Sequence, residues 1–81
     1  MGRGELEEAE RLFLSSQAAF HQIGNVEGEL AVLAGLGQLF LRRGQPALAV
    51  ERLQTARDGF ARLGFIPWVQ RLDQLLRLIK S

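Results

Sequence analysis

A lone histidine, a run of glutamates and a few serines are the only side chains in this sequence whose types could carry out catalysis. His21 stands beside Gln17 and Gln22. A histidine that works as a general base needs a nucleophile within hydrogen-bond reach and a group that fixes its ring. No serine in the chain is accompanied by a plausible base and orienting acid, so His21 reads as a solvated surface residue. Glu7, Glu8 and Glu10 could ligate a metal only if they converged. Spaced as they are, they form a solvated charge run instead. The glycines recur at a constant interval after helical stretches, so no phosphate-cradling loop is indicated. The residues point away from an enzyme, with no catalytic residue, no metal site and no cofactor expected.

The basic residues suggest polyanion binding as an alternative chemistry. Arg42 and Arg43 adjoin, and Arg52, Arg57, Arg62, Arg71 and Arg77 follow. Tracking a phosphate backbone requires cations along one stripe. These arginines are interleaved with acids and point around the helical wheels, so nucleic acid is not an expected partner. The charge is nevertheless polarised: residues 1–29 carry net −4 and residues 30–81 net +5. Two explanations fit. Acids at the start of the first helix and bases at the end of the last match the helix dipoles, or the two halves attract each other in a pair of chains.

With 81 residues there is room for one domain. The absence of cysteine excludes disulfides and thiolate metal sites, and a reducing cytoplasm is the expected location. No apolar run reaches the ~20 residues of a membrane span, and the acidic start is unlike a signal peptide. No membrane association is expected.

What positions these residues is a twenty-residue beat. Gly4, Gly24, Gly44 and Gly64 are evenly spaced, and glycine ends helices because it enters the left-handed conformation without steric penalty. Pro46 and Pro67 follow two of them, where a first-turn proline loses no needed hydrogen bond. The spacing predicts four helices, at about 5–23, 26–43, 46–63 and 66–80, and an all-α fold whose short joints force antiparallel neighbours.

At 100° per residue the first helix gathers Leu6, Ala9, Leu12, Phe13, Ser16, Ala19, Phe20 and Ile23 into one arc. The second is apolar nearly all round, leaving a strip of Glu27, Ala31, Gly35, Gln38 and Arg42, which makes it the expected centre of the domain. The third turns Ala49, Leu53, Ala56, Phe60 and Leu63 inward. The fourth turns in Phe65, Trp68, Val69, Leu72, Leu75, Leu76 and Ile79.

A shift of forty residues superposes Ala9 on Ala49, Phe13 on Leu53, Ser16 on Ala56, Phe20 on Phe60 and Ile23 on Leu63. Such a period indicates a helical solenoid. Within the unit, Leu33, Leu36-Gly37, Phe40, Ala49, Leu53 and Ala56 have the spacing that resembles the tetratricopeptide repeat. Gly37 and Ala49 are small where two helices must approach closely. The joint Gly24-Asn25-Val26-Glu27-Gly28-Glu29 resembles the forty-residue variety of that family, which occurs in cell-polarity scaffolds and in sensor regions of bacterial signalling ATPases and transcription activators. On that register one repeat, about residues 26–63, is complete, with a half repeat on each side.

In the fourth helix, Asp73, Arg77 and Lys80 stand where the second has Leu33, Gly37 and Phe40. The face that would receive a further helix is thus polar, with Asp73 and Arg77 placed for an i,i+4 pair. The second joint, Phe65-Ile66-Pro67-Trp68-Val69, then reads as the start of a capping helix, with an aromatic ligand site at Trp68 as the other reading.

The resemblance implies a protein-interaction module that binds a peptide or partner helix on a concave surface. By repeat position that surface would hold Ala31, Ala34, Gly35, Gln38 and Arg42 from the second helix, with Arg71, Gln74, Leu75 and Leu78 from the fourth. The clamp by which chaperone-binding relatives hold a C-terminal carboxylate is not matched, since its Asn position falls on Gly35. The wide apolar arc of the first helix adds an expected homodimer, through Leu6, Ala9, Leu12 and Phe13 or against Phe65 and Trp68. The alternative is a structural or assembly element, or the C-terminal capping piece of a longer array. Met1-Gly2-Arg3 ahead of an unpaired helix would suit such a piece.

Overall fold

The computed structural model describes residues 3–80; Met1, Gly2 and Ser81 lie outside them. Four helices follow one another: α1 (Arg3–Gln22), α2 (Val26–Arg42), α3 (Pro46–Leu63) and α4 (Ile66–Lys80). No strand occurs among the described residues. α1 packs on α2, α2 on α3 and α3 on α4, so each helix rests mainly on its sequence neighbours, as short connections require. The product is a slab of 36 × 36 × 16 Å.

Three of the four evenly spaced glycines end helices. Gly24, Gly44 and Gly64 have φ of 74°, 74° and 79°, the left-handed region open to glycine. After each, the next residue donates its N–H to a carbonyl five positions back: Asn25 to Phe20, Gln45 to Phe40 and Phe65 to Phe60, at 2.9, 2.9 and 3.0 Å. This arrangement satisfies carbonyls that the helix end leaves without partners. Gly4 is different. It lies inside the first turn of α1 and ends nothing. Asn25 then caps α2, its Oδ1 accepting from the Gly28 N–H at 2.8 Å. Pro46 occupies the first turn of α3.

The core divides along the two faces of α2. One cluster joins Leu30 and Ala34 of α2 to Leu53, Ala56 and Phe60 of α3 and to Val69, Leu72 and Leu76 of α4. The other joins Val32, Leu36, Leu39 and Phe40 to Ala49, with Leu6, Ala9, Phe13 and Phe20 of α1 packed against it. α2 is the most buried helix, as its nearly all-apolar wheel predicts.

Gly37 and Ala49 mark a close approach. A Cβ added to Gly37 would lie 2.5 Å from Leu53 Cγ and 3.2 Å from the Ala49 carbonyl oxygen. α1 approaches α2 by the same means: its Phe20 ring lies over Gly28 and its Phe13 ring over Gly35, each leaving no room for a side chain. Gly59 does likewise for Leu30.

Four apolar residues expected inside, Leu12, Ala19, Ile23 and Leu63, are outside. Leu12, Ile23 and Leu63 are 59%, 74% and 48% exposed. The first-helix arc is wider than one neighbouring helix can cover, and Ile23 and Leu63 sit at helix ends beside the turns.

Candidate functional site

The nine residues expected on the concave surface divide into an exposed set and a covered set. Gln38 and Arg42 of α2, with Arg71, Gln74 and Leu78 of α4, are exposed. Ala34 is in the core, while Ala31 and Leu75 are half-buried against it. These three draw α2 and α4 onto one cluster and so hold the exposed five on a common framework. Gly35 does not belong to the strip: Phe13 of α1 covers it. Its lack of a side chain serves helix packing rather than an open groove.

Aromatic packing fixes one end of this face. Trp68 stacks on Phe60 with centroids 4.5 Å apart and planes 6° from parallel, and Phe65 meets Phe60 edge-on at 5.9 Å. The Arg71 guanidinium lies 5.8 Å from the centre of the Trp68 ring, within reach of a cation–π attraction. Trp68 is therefore engaged on one side by the core and bordered by a cation.

The six residues expected to mediate self-association are also split. Leu6, Ala9 and Phe13 pack on α2, and Phe65 and Trp68 pack on the α3–α4 cluster. Leu12 alone among them is exposed.

A second groove, which sequence reasoning misses, opens between α1 and α3. Leu14 and Gln17 of α1, Leu33, Leu36 and Phe40 of α2, and Arg52 of α3 enclose about 310 Å³. The Arg52 guanidinium lies 5.7 Å from the centre of the Phe40 ring. The forty-residue shift carries Leu14, Leu33, Leu36 and Phe40 onto Gln54, Asp73, Leu76 and Lys80, which with Arg77 line a more open groove of about 510 Å³ on α4. The period is the signal that could have revealed both grooves. Three of the four positions change from apolar to polar between them, in keeping with the greater exposure of the second, while Leu76 keeps the apolar type of Leu36 and is buried.

Asp73 is held from across the helix pair rather than along its own helix. Arg57 of α3 donates through Nε to Asp73 Oδ1 at 2.8 Å and through a terminal nitrogen to Oδ2 at 3.4 Å. This corrects the expected Asp73–Arg77 pair: a neighbouring helix offers a planar two-pronged donor, and Arg77 acts on the carboxylate only through its charge. The Arg57 hydrogen bond is the main reason the Asp73 pKa falls below 3.8, with the charges of Arg57 and Arg77 adding to it. Arg57 is raised in turn.

Arg77 also occupies the place of Gly37. Since even a Cβ at Gly37 would collide with Leu53, the Arg77 side chain stands where the equivalent approach of α3 to α2 leaves no room for one. His21 is exposed, with Nδ1 3.3 Å from Glu29 Oε2. Among the described residues no group of three His, Cys, Asp or Glu side chains could hold a metal ion, and no helix is long and apolar enough to cross a membrane.

The helix hairpins, the small residues at their crossings and the period together define a helical repeat. A family model described as tetratricopeptide repeat matches residues 1–62. The chain belongs to the tetratricopeptide repeat family, whose domains mediate protein–protein interactions. No curated protein and no solved structure matches it.

Proposed function

We propose that this domain is a non-catalytic protein-interaction module that binds a peptide or partner helix on the face shared by α2 and α4, and that it also associates with itself. The observation that carries the first part is the group of exposed side chains Gln38, Arg42, Arg71, Gln74 and Leu78 on the two helices that converge on one core cluster. They supply hydrogen-bonding, cationic and apolar contacts along two rigid helices, and a rigid surface lowers the ordering cost of binding. Self-association draws support from the exposed apolar residues of α1.

The reading takes residues 1–81 as a single domain in the cytoplasm, with one complete repeat at about 26–63 and protein as its partner, without cofactor, nucleic acid or membrane. Carboxylates within the chain pair Arg11, Arg43, Arg52 and Arg57, which weighs against a phosphate-tracking stripe.

Selection from a phage-displayed peptide library, followed by amide chemical-shift mapping with the selected peptide, tests the binding face. Perturbations centred on α2 and α4, lost in Gln38→Glu/Arg71→Glu, are expected. Perturbations confined to α1 and α3 would overturn the choice of face.

A further inference from the structure

The repeat register shows which surface of α1 is built to receive a helix. Ser16 and Ala19 align with Ala56 and Gly59 of α3. In α3 both positions face α2: Ala56 is fully buried, and a Cβ on Gly59 would lie 2.5 Å from Leu30 Cδ2. In α1 the same two small residues are exposed. Exposed Leu12 and Ile23 flank them, at 59% and 74%. The four share an arc of about 60° at 100° per residue, next to the arc of Leu6, Ala9, Phe13 and Phe20 that packs on α2.

Resting on the reading that the domain self-associates, we infer that a second copy covers this arc, with the two α1 helices crossing antiparallel at Ser16 and Ala19. The spacing of Leu12, Ser16, Ala19 and Ile23 reads the same in both directions, four, three and four, with large residues outside and small ones inside. A two-fold interface requires such self-complementarity. Ser16 of one chain faces Ala19 of the other at the crossing, and Leu12 faces Ile23 on both sides. Small residues at the centre allow close approach, the device this chain already uses at Gly35 and Gly37.

Charge sets the direction. Glu5 and Glu8 border the arc at the N-terminal end of α1. Arg11 pairs Glu8 within its own helix, so a parallel pair would bring the two Glu5 carboxylates together, whereas an antiparallel pair places them at opposite ends and aligns the helix dipoles favourably. The competing occupant, α4 of a second copy, is a poor fit. It presents Asp73, Arg77 and Lys80, and Arg77 prevents the close approach that a small-residue crossing provides.

Light scattering after gel filtration at micromolar concentration tests this arrangement. The chain is expected at twice its 9.0 kDa mass, and Ala19→Glu at the mass of one chain with its helical circular dichroism retained. Because the sequence has no cysteine, Ser16→Cys supplies a measurement that does not depend on disrupting the interface. Mild oxidation should cross-link it to a dimer, whereas Gln54→Cys should stay uncrosslinked. A dimer that survives Ala19→Glu, and whose Ser16→Cys form does not cross-link, would overturn the α1 seam while leaving self-association through another surface. A single-chain mass for the unaltered protein would overturn both and assign the arc to a different partner.

Discussion

Trp68 lies flat on Phe60, at the position where one repeat earlier Gly28 lies beneath Phe20. The two arrangements solve the same packing problem with opposite residues. At the first joint a ring rests directly on the α2 backbone, so the joint stays polar and Asn25 is free to cap the helix. At the second, Phe65 replaces Asn25 and Trp68 replaces Gly28, and the two aromatics pack on Phe60, which is fully buried. Trp68→Ala is expected to destabilise the chain by about 3 kcal/mol in urea unfolding followed by circular dichroism, a value typical of losing a packed aromatic ring. A loss near zero would show that Trp68 is not part of the core.

The contact of Gly37 with Leu53 and the Ala49 carbonyl predicts opposite behaviour for two Gly→Ala substitutions. Gly37→Ala removes a glycine from a helix, which by propensity alone would help by about 1 kcal/mol. Its Cβ would meet a branched carbon and a backbone oxygen that cannot swing away, and such overpacking costs about 1–3 kcal/mol. Thermal melts should therefore show a net loss. Gly4→Ala, with nothing near its Cβ, should melt at the same temperature or higher.

Leu36 is 3% exposed on the side of α2 that faces α1. Leu36→Ala should cost about 2–5 kcal/mol through the lost burial and the cavity left behind. The same urea titration measures it, and a loss below half of the lower figure would mean that the cavity collapses freely.

The Arg57–Asp73 pair gives a pH dependence with a definite sign. Asp73 has a folded-state pKa below its ordinary 3.8. Its contribution to stability is complete above 3.8 and disappears as the pH falls from there through the lowered value. Arg57→Gln should return the Asp73 titration, followed by carboxyl NMR, toward 3.8. Asp73→Asn should remove this part of the acid-induced loss of stability and leave behaviour at neutral pH little changed, as befits a partly exposed pair.

The fold is legible because a helix announces its own ends and faces. Gly24, Gly44 and Gly64 punctuate, and the close fit at Gly37 and Ala49 follows from the small residues of the repeat. What approaches from a neighbouring helix is less legible. Gly35 reads as open on the wheel of α2 but lies under a ring that α1 brings from outside. Asp73 and Arg77 have ideal spacing on one helix, yet Arg57, sixteen residues earlier in the sequence, reaches the carboxylate first. Periodicity reports the direction in which a side chain points, whereas these contacts depend on interhelical distance. For the same reason the wheel places Gln38, Arg42, Arg71, Gln74 and Leu78 at the surface, where they are exposed, but leaves Gly35 open where Phe13 of α1 covers it.

The slab is only 16 Å thick, and each helix rests mainly on those next to it in sequence. Native contacts in such a chain close short loops, a topology that folds rapidly. Its opening is graded as well. α1 and α4 can each detach by losing one main interface, whereas α2 and α3 must lose two, so protection against amide hydrogen exchange should rise from both ends toward the central hairpin. Where a peptide or a second copy seats on a terminal helix, its effect would register as slower exchange in that helix, well before it altered the global unfolding of the chain.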